Sequence, residues 1–378
     1  MSNLLSFVVS APGRLCLFGE HQDYLNMPVI AFSLPLSCQI RVTPTTTTQR
    51  ILVIDVPTLN QTWTYDLNNL PPRQGKGGVS STKDADFKPD FALAAIYEAL
   101  DDGWIFSSGA ECESTTDIPL QAGCSSSSAF CVAWSLVIAR LCGKEQELLK
   151  NPIRLAHRAH RAEVTHFGAP GGTMDHVTSA VGGLLRIGPD PWGVEYLTMT
   201  ESSKNSCWVV ANSGEPKDTL GHLHRCKNAR LALLEKLDGN WDADVSHIHL
   251  TKDEKILLSA TLVNRDMEAQ AAAEWRDGSA TPESLGTKMQ QHHEALRDGL
   301  YLSTDKLESL SKVSIQAGAY GFKVVGSGGG GCGVAWTNRD MAAKVARAME
   351  DAGAFQTWIV QKPSNGAKLS FLDHSTET

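Results

Sequence analysis

Apolar and polar positions alternate along the first part of the chain and recur with a helical period along the last. Between Ser6 and Val56 the runs SFVVSA, RLCLFGE, SCQIRVT and ILVIDV, punctuated by Pro and Gly, predict strands. Asn68 to Asp90 is a long stretch rich in Pro, Gly, Ser and charge, either a mobile lid or a plain excursion. A helical period resumes at Phe91–Leu100, a strand follows around Glu111, and VAWSLVIARL is apolar enough to be a buried helix. This order predicts that the intervening loop, Pro119 to Phe130, lies at a sheet edge. NPIRLAHRAHRAEVTHFG reads as a helix with a thin apolar face, GGLLRI and CWVVAN as strands, and the segment after SGEPK as a long helix. From about Lys252 to Ala317 the period is helical. A strand, glycine turn and strand then span Gly318 to Trp336, before a helix near Asp340–Ala352 and a strand at FQTWIV. The pattern predicts an α+β protein, β-rich first and helical later, with no internal repeat and no heptads.

Composition narrows the class. A chain of 378 residues suggests two or three domains, and 42% hydrophobic content supports ordinary packed cores. The balance of 34 basic and 42 acidic residues, net charge −8, offers no basic track, so no nucleic-acid partner is expected. It does not exclude a phosphorylated substrate, because a glycine-rich nest binds phosphate through backbone N–H groups. The nine cysteines form no C-x-x-C pair and fit reduced thiols in a cytosol. MSNLLSFVVSAPGR lacks the basic start of a signal peptide, and no run reaches the roughly 18 apolar residues of a membrane span. The expected location is therefore cytoplasmic, which makes the sequon at Asn60 incidental.

Five stretches carry candidate chemistry. In PLQAGCSSSSAF the run Gly123, Cys124, Ser125, Ser126, Ser127, Ser128 feeds a helix whose first N–H groups have no intrahelical partner. It reads either as an anion cradle or as a serine-rich surface loop with an ordinary N-cap. In APGRLCLFGEHQDY, residues Arg14, Glu20, His21 and Asp23 form either a polar pocket or the solvated end of an edge strand. His157, His160 and Glu163 recur every three residues, but H-E-x-x-H is absent and the two histidines read as a solvated helical face. Asp175, in GAPGGTMDH, is either an N-cap or a carboxylate in a glycine-walled pocket, suited to act on a reacting hydroxyl. The G-x-G-x-x-G from Gly326 to Gly331 is followed by a strand, so it predicts a hairpin turn near a ligand rather than a dinucleotide fold.

Read together, APGRLCLFGEHQDY, PLQAGCSSSSAF and VVGSGGGGCGVAW resemble, in order and spacing, the motifs of the GHMP kinases: galactokinase, homoserine kinase, mevalonate kinase and phosphomevalonate kinase. The resemblance is greatest to galactokinase-like sugar kinases. Arg14, Gly19, Glu20, His21, Asp23 and Tyr24 match their sugar-binding signature, and GGTMDH matches their G-x-M-D-Q segment with Glu163 upstream. It implies a two-domain fold: a β-rich N-terminal domain of the ribosomal protein S5 domain 2-like type over 1–190 and a helix-rich ferredoxin-like domain over 191–378. It also implies transfer of the ATP γ-phosphoryl group to a sugar hydroxyl, most simply the anomeric one, by a monomer or homodimer. On this reading Asp175 and Arg14 are catalytic and Gly123 to Ser128 bind ATP. Arg14, Glu20, His21, Asp23, Gly172 and Asp175 bind the acceptor, while Ser127 and Glu163 hold Mg2+. Phosphorylation of an acyclic alcohol such as mevalonate, or a regulator that binds sugar or nucleotide without turnover, are the alternatives. The chain departs from the pattern at Gln121, at His176 in place of Gln, and where galactokinases place a tyrosine: here His222, His224 and Arg225 stand. Arg225 either faces a substrate carboxylate or solvates its helix.

Overall fold

The first two strand runs merge. SFVVSA and RLCLFGE form one strand, β1 (Phe7–Phe18), because register shifts against the next strand, β2 (Val29–Pro44), absorb the Pro12–Gly13 interruption. Six consecutive residues at the start of β2 are buried on both faces, whereas Cys38–Pro44 alternates buried and exposed positions. The other strands are β3 (Ile51–Val56), β4 (Gln61–Asp66), β5 (Ala110–Thr116), β6 (Leu184–Ile187), β7 (Val194–Tyr196), β8 (Ser206–Asn212), β9 (Ala319–Val324), β10 (Cys332–Asn338), β11 (Gln356–Val360) and β12 (Lys368–Phe371). The structure is a computed structural model that describes residues 5–45, 50–74, 88–188, 192–216 and 219–372. Most of the Asn68–Asp90 loop, and the start of the N-terminal stretch, lie outside the described residues.

Two sheets organise the chain. The first runs β12–β1–β2–β5–β3–β4, with β6 on β2 and β7 on β6. The second runs β11–β8–β10–β9, and its chain order β8, helices, β9, β10, helix Arg339–Asp351, β11 is the ferredoxin-like arrangement expected of the second domain. The sheets do not divide at residue 190. β7 continues the first sheet beyond it, and β12 returns from the far end of the chain to pair Phe7–Ser10 of β1, covering an edge that would otherwise be open. Likewise β5 lies inside its sheet rather than at an edge, so the loop that follows leaves the end of an interior strand.

That loop enters the helix Ser126–Leu141, of whose side chains twelve in sixteen are buried. An almost uniformly apolar helix can only sit in the core, and its N-terminus is thereby held inside the molecule. Between the sheets Phe32 of β2 stacks on Trp208 of β8 with ring centroids 4.3 Å apart, and Trp208 packs on Trp336 of β10 at 4.9 Å. These aromatic contacts join the two domains through one core. Lys252–Asp277, Pro282–Leu300 and Asp305–Ala317 fill the predicted helical region. Among the described residues no helix is long and apolar enough to cross a membrane.

Candidate active site

The phosphate-loop candidate is held from both sides by backbone. Arg14 N–H donates to Cys124 O at 3.1 Å from β1, and Cys332 N–H donates to Ala122 O at 2.8 Å from the start of β10. The hairpin turn Val325–Gly331, expected from its glycines as a turn between strands, thus lies directly on the loop. At Gly331, φ is +72°, and a Cβ would stand 2.7 Å from Ala122 O; only glycine allows this approach. Cys124 and Cys332 bring their thiols within 3.7 Å at the same junction. Cys124 therefore offers a ligand its backbone and not its side chain. Ser125 precedes the helix in the left-handed region, φ 58°, and makes no side-chain cap to the first-turn N–H groups. The amides of Ser126, Ser127 and Ser128 remain as an uncapped helix N-terminus, which fits an anion.

Glu163 comes to the lip of this loop. It sits just past the helix Pro152–His160, where the chain widens into a π-type turn, Arg161–Thr165. Its carboxylate accepts hydrogen bonds from the Ser127 and Ser128 hydroxyls and from His176 Nε2 at 2.6 Å. Burial works to raise its pKa, but the His176 contact and the serine hydroxyls outweigh that and hold it below the usual carboxylate range. His160 departs from expectation. It packs edge-on against His176 and Trp192, and burial, with His176 nearby, lowers its pKa to about 3, so it is a neutral wall residue and not part of a solvated face. His176, the departure from the G-x-M-D-Q pattern, is 2% exposed and positions Glu163.

Asp175 lies in the first turn of the helix Met174–Val181, two residues beyond its N-cap Thr173, so it is not a cap. Arg14 grips it through Nε and Nη2, each 2.7 Å from Oδ1, and the Ser125 hydroxyl donates to Oδ2 at 2.5 Å. Arg14 Nη1 also donates to Gly123 O at 2.5 Å, linking the carboxylate to the phosphate loop. Burial opposes ionisation of Asp175; the Arg14 charge and the Ser125 hydroxyl outweigh it and keep the group an anion. Ser125, expected among the phosphate ligands, thus has its hydroxyl on Asp175.

Asp23 stands beside Asp175. Its Oδ2 accepts from Met174 N–H at 3.2 Å, and Gly172 packs so closely that a Cβ there would lie 2.0 Å from Oδ2. Burial and the neighbouring Asp175 raise its pKa to about 6. The two carboxylates are therefore pushed apart in acidity by their surroundings. Arg14, Glu20 and His21 are all buried, which rules out the solvated strand end. Glu20 departs from its expected place on the acceptor: it is 1% exposed, and its Oε2 takes a hydrogen bond at 2.7 Å from the fully buried Lys323 of β9. It joins the two domains. His21 Nδ1 pairs with the Tyr24 hydroxyl at 2.9 Å.

The helix Thr219–Lys236 closes this end, but not through the residues that sequence reasoning singled out. Arg225 donates to Leu300 O at 2.7 Å, at the C-terminal end of a helix, and His224 is exposed. His222 lies against Gly329 of the glycine turn. One and two turns along, Lys227 donates to Pro170 O at 3.2 Å, and Arg230 donates to the Tyr24 hydroxyl. Neither residue stands out in the sequence; the only available signal was their spacing of three on a helix that also carries Arg225.

The matches to known proteins fall on the same elements. The galactokinase galactose-binding signature matches residues 2–44, which carry Arg14 to Asp23. The GHMP kinases N terminal domain matches 90–183, with the loop, Glu163 and Asp175, and the GHMP kinases C terminal family matches 279–354, with the glycine turn. A mevalonate kinase of Thermococcus sibiricus is 28% identical over 92% of this chain and 93% of its own length. A galactokinase of Mycobacterium bovis is 25% identical over 91% and 93%. The crystal structure of Lactococcus lactis galactokinase complexed with galactose has the same fold, with a TM-score of 0.77 over 98% of this chain and 96% of that one at 16% identity. Since the three matched segments supply the Arg14–Asp23 segment, the serine loop with Glu163 and Asp175, and the glycine turn that packs on that loop, the chain belongs to the GHMP kinase family of small-molecule kinases.

Proposed function

We propose that the protein transfers the γ-phosphoryl group of ATP to a hydroxyl of a small sugar, the anomeric C1 hydroxyl of galactose or a related sugar. One observation carries this reading: an ionised Asp175, clamped by Arg14 at the mouth of the phosphate loop, has a second carboxylate, Asp23, beside it in the segment that matches the galactose-binding signature. Asp175 accepts the proton of the acceptor hydroxyl or orients it, a role worth roughly two to four orders of magnitude in rate. Arg14 keeps that carboxylate ionised and faces the charge that develops on the transferred group. The amides of Ser126 to Ser128 hold the phosphates, and Asp23, whose carboxylate takes the space that a side chain at 172 would fill, accepts hydrogen bonds from ring hydroxyls.

A divalent cation fits beside Glu163. Glu163 and the Ser127 hydroxyl offer two hard oxygen donors side by side at the lip of the loop. Mg2+ held there would neutralise charge on the β- and γ-phosphates. Ser127 is exposed and Ser128 buried, which favours Ser127 as the serine ligand.

The relative from Thermococcus sibiricus favours a second reading, mevalonate as acceptor. Measuring ADP release with ATP, Mg2+ and a panel of neutral sugars, sugar acids and mevalonate tests both. Turnover with a sugar supports the proposal; turnover with mevalonate alone overturns it.

A further inference from the structure

The acceptor end of the site carries more positive charge than its own carboxylates offset. Two cations reach it from the helix Thr219–Lys236, three residues apart and so on one face. Lys227 is half-buried, stands 5.6 Å from the centroid of the Tyr24 ring, and has Pro170 O as its hydrogen-bond acceptor. An ammonium has three protons to donate. Arg230 is fully buried; it donates to the Tyr24 hydroxyl and to Cys226 O, and its Nη1 has no partner among the described residues. Among the described residues neither cation has a carboxylate within ion-pair distance. Glu20 and Lys323 cancel each other. What remains is Arg14, Lys227 and Arg230 against Asp23 and Asp175, one positive charge in excess, with Asp23 itself easily protonated. Unbalanced charge in a partly buried place is costly unless a ligand completes it.

Resting on the sugar-kinase reading, we infer that Lys227 determines acceptor specificity and that the acceptor is a sugar acid whose carboxylate seats against its ammonium. The order of groups supports this. Asp175 lies at the phosphate loop, Asp23 stands next to it against Gly172 and Met174 N–H, and Lys227 reaches Pro170, two residues before Gly172. An acceptor laid along that line presents a hydroxyl to Asp175, further hydroxyls to Asp23, and an anionic group to Lys227. A hexuronic acid carries all three kinds of group: an anomeric hydroxyl on C1, ring hydroxyls on C2 to C4, and a carboxylate on C5. A neutral hexose can accept a hydrogen bond from Lys227 but leaves the excess charge in place.

The test compares kcat/KM for galacturonate, glucuronate, galactose, glucose and mevalonate in the wild type, Lys227→Gln and Lys227→Arg, with thermal melts to verify folding. The wild type is expected to favour a hexuronate over the matching hexose at least tenfold. Lys227→Gln should collapse that ratio at least tenfold, chiefly through KM, and Lys227→Arg should retain most of it. A wild type that prefers the neutral hexose, or a ratio unmoved in Lys227→Gln, overturns the inference while leaving the sugar-kinase reading intact. Turnover of mevalonate alone overturns both. If no acceptor turns over, calorimetric binding of the hexuronates to the wild type decides, and the absence of binding overturns the inference.

Discussion

The two ends of the site are built by different means. At the phosphate end the fixed parts are backbone: Cys124 O, Ala122 O and the amides of Ser126 to Ser128 are placed by β1, β10 and a buried helix. At the acceptor end they are side chains from three separate segments: Asp23 held by the Tyr24 and Met174 N–H groups, Asp175 by Arg14 and Ser125, and Lys227 by Pro170 O beside the Tyr24 ring. A backbone cradle suits a group common to every turnover, since its geometry hardly depends on side-chain identity. A side-chain pocket suits the part that differs between relatives, because single substitutions retune it.

Breaking the junction of the two ends should have the largest effect. Asp175→Asn is expected to lower kcat at least about a hundredfold with little change in the KM for ATP, since the lost charge acts on the acceptor hydroxyl. Near-normal turnover in steady-state assays would remove Asp175 from the chemistry. Damage confined to the phosphate end should appear in ATP and metal dependence. Gly331→Ala forces a Cβ against Ala122 O and should raise the KM for ATP roughly tenfold while lowering the melting temperature. Glu163→Gln and Ser127→Ala should each raise the Mg2+ concentration for half-maximal activity several-fold, and unchanged titrations would contradict the metal assignment.

Changes at the acceptor end should be smaller and selective. Asp23→Asn should raise the acceptor KM about tenfold and spare ATP. It should also stabilise the free protein. Asp23 has a folded-state pKa of about 6 against 3.8, so its favourable contribution is present below 3.8 and lost as pH rises through about 6. The Asn variant should therefore exceed the wild type at pH 7 by at most about 3 kcal/mol and show no such gain at pH 4. Equal differences in melting temperature at both pH values would contradict this. Arg225→Ala should have the smallest effect, changing acceptor KM less than about twofold, because its guanidinium sits on Leu300 O.

This contrast also explains how much was legible in the sequence. The strands, the late helices and the glycine hairpin follow from periodicity and turn residues, which act locally, whereas the ferredoxin-like domain was implied by the family resemblance. The meeting of Gly123 to Ser128 with Glu163 and Asp175 was legible because the three lie in contiguous motifs that resemble one family's pattern. Pairings between distant segments were not. Nothing in KLSF signals that β12 joins β1 across the whole chain, and nothing in AYGFKV signals that Lys323 will neutralise Glu20. Arg225 drew attention by standing where a tyrosine is usual, yet helix rotation turns Lys227 and Arg230 to the site instead.

The central claim is that a ring hydroxyl facing Asp175 receives the phosphate. Incubating the protein with ATP, Mg2+ and its best sugar acceptor, then recording proton-coupled 31P NMR spectra of the product, tests it directly. The account predicts one phosphate ester, coupled to the anomeric proton of the sugar and formed at least about a hundredfold more slowly by Asp175→Asn. A phosphate on any other position, or a product formed from mevalonate and from no sugar, would contradict it.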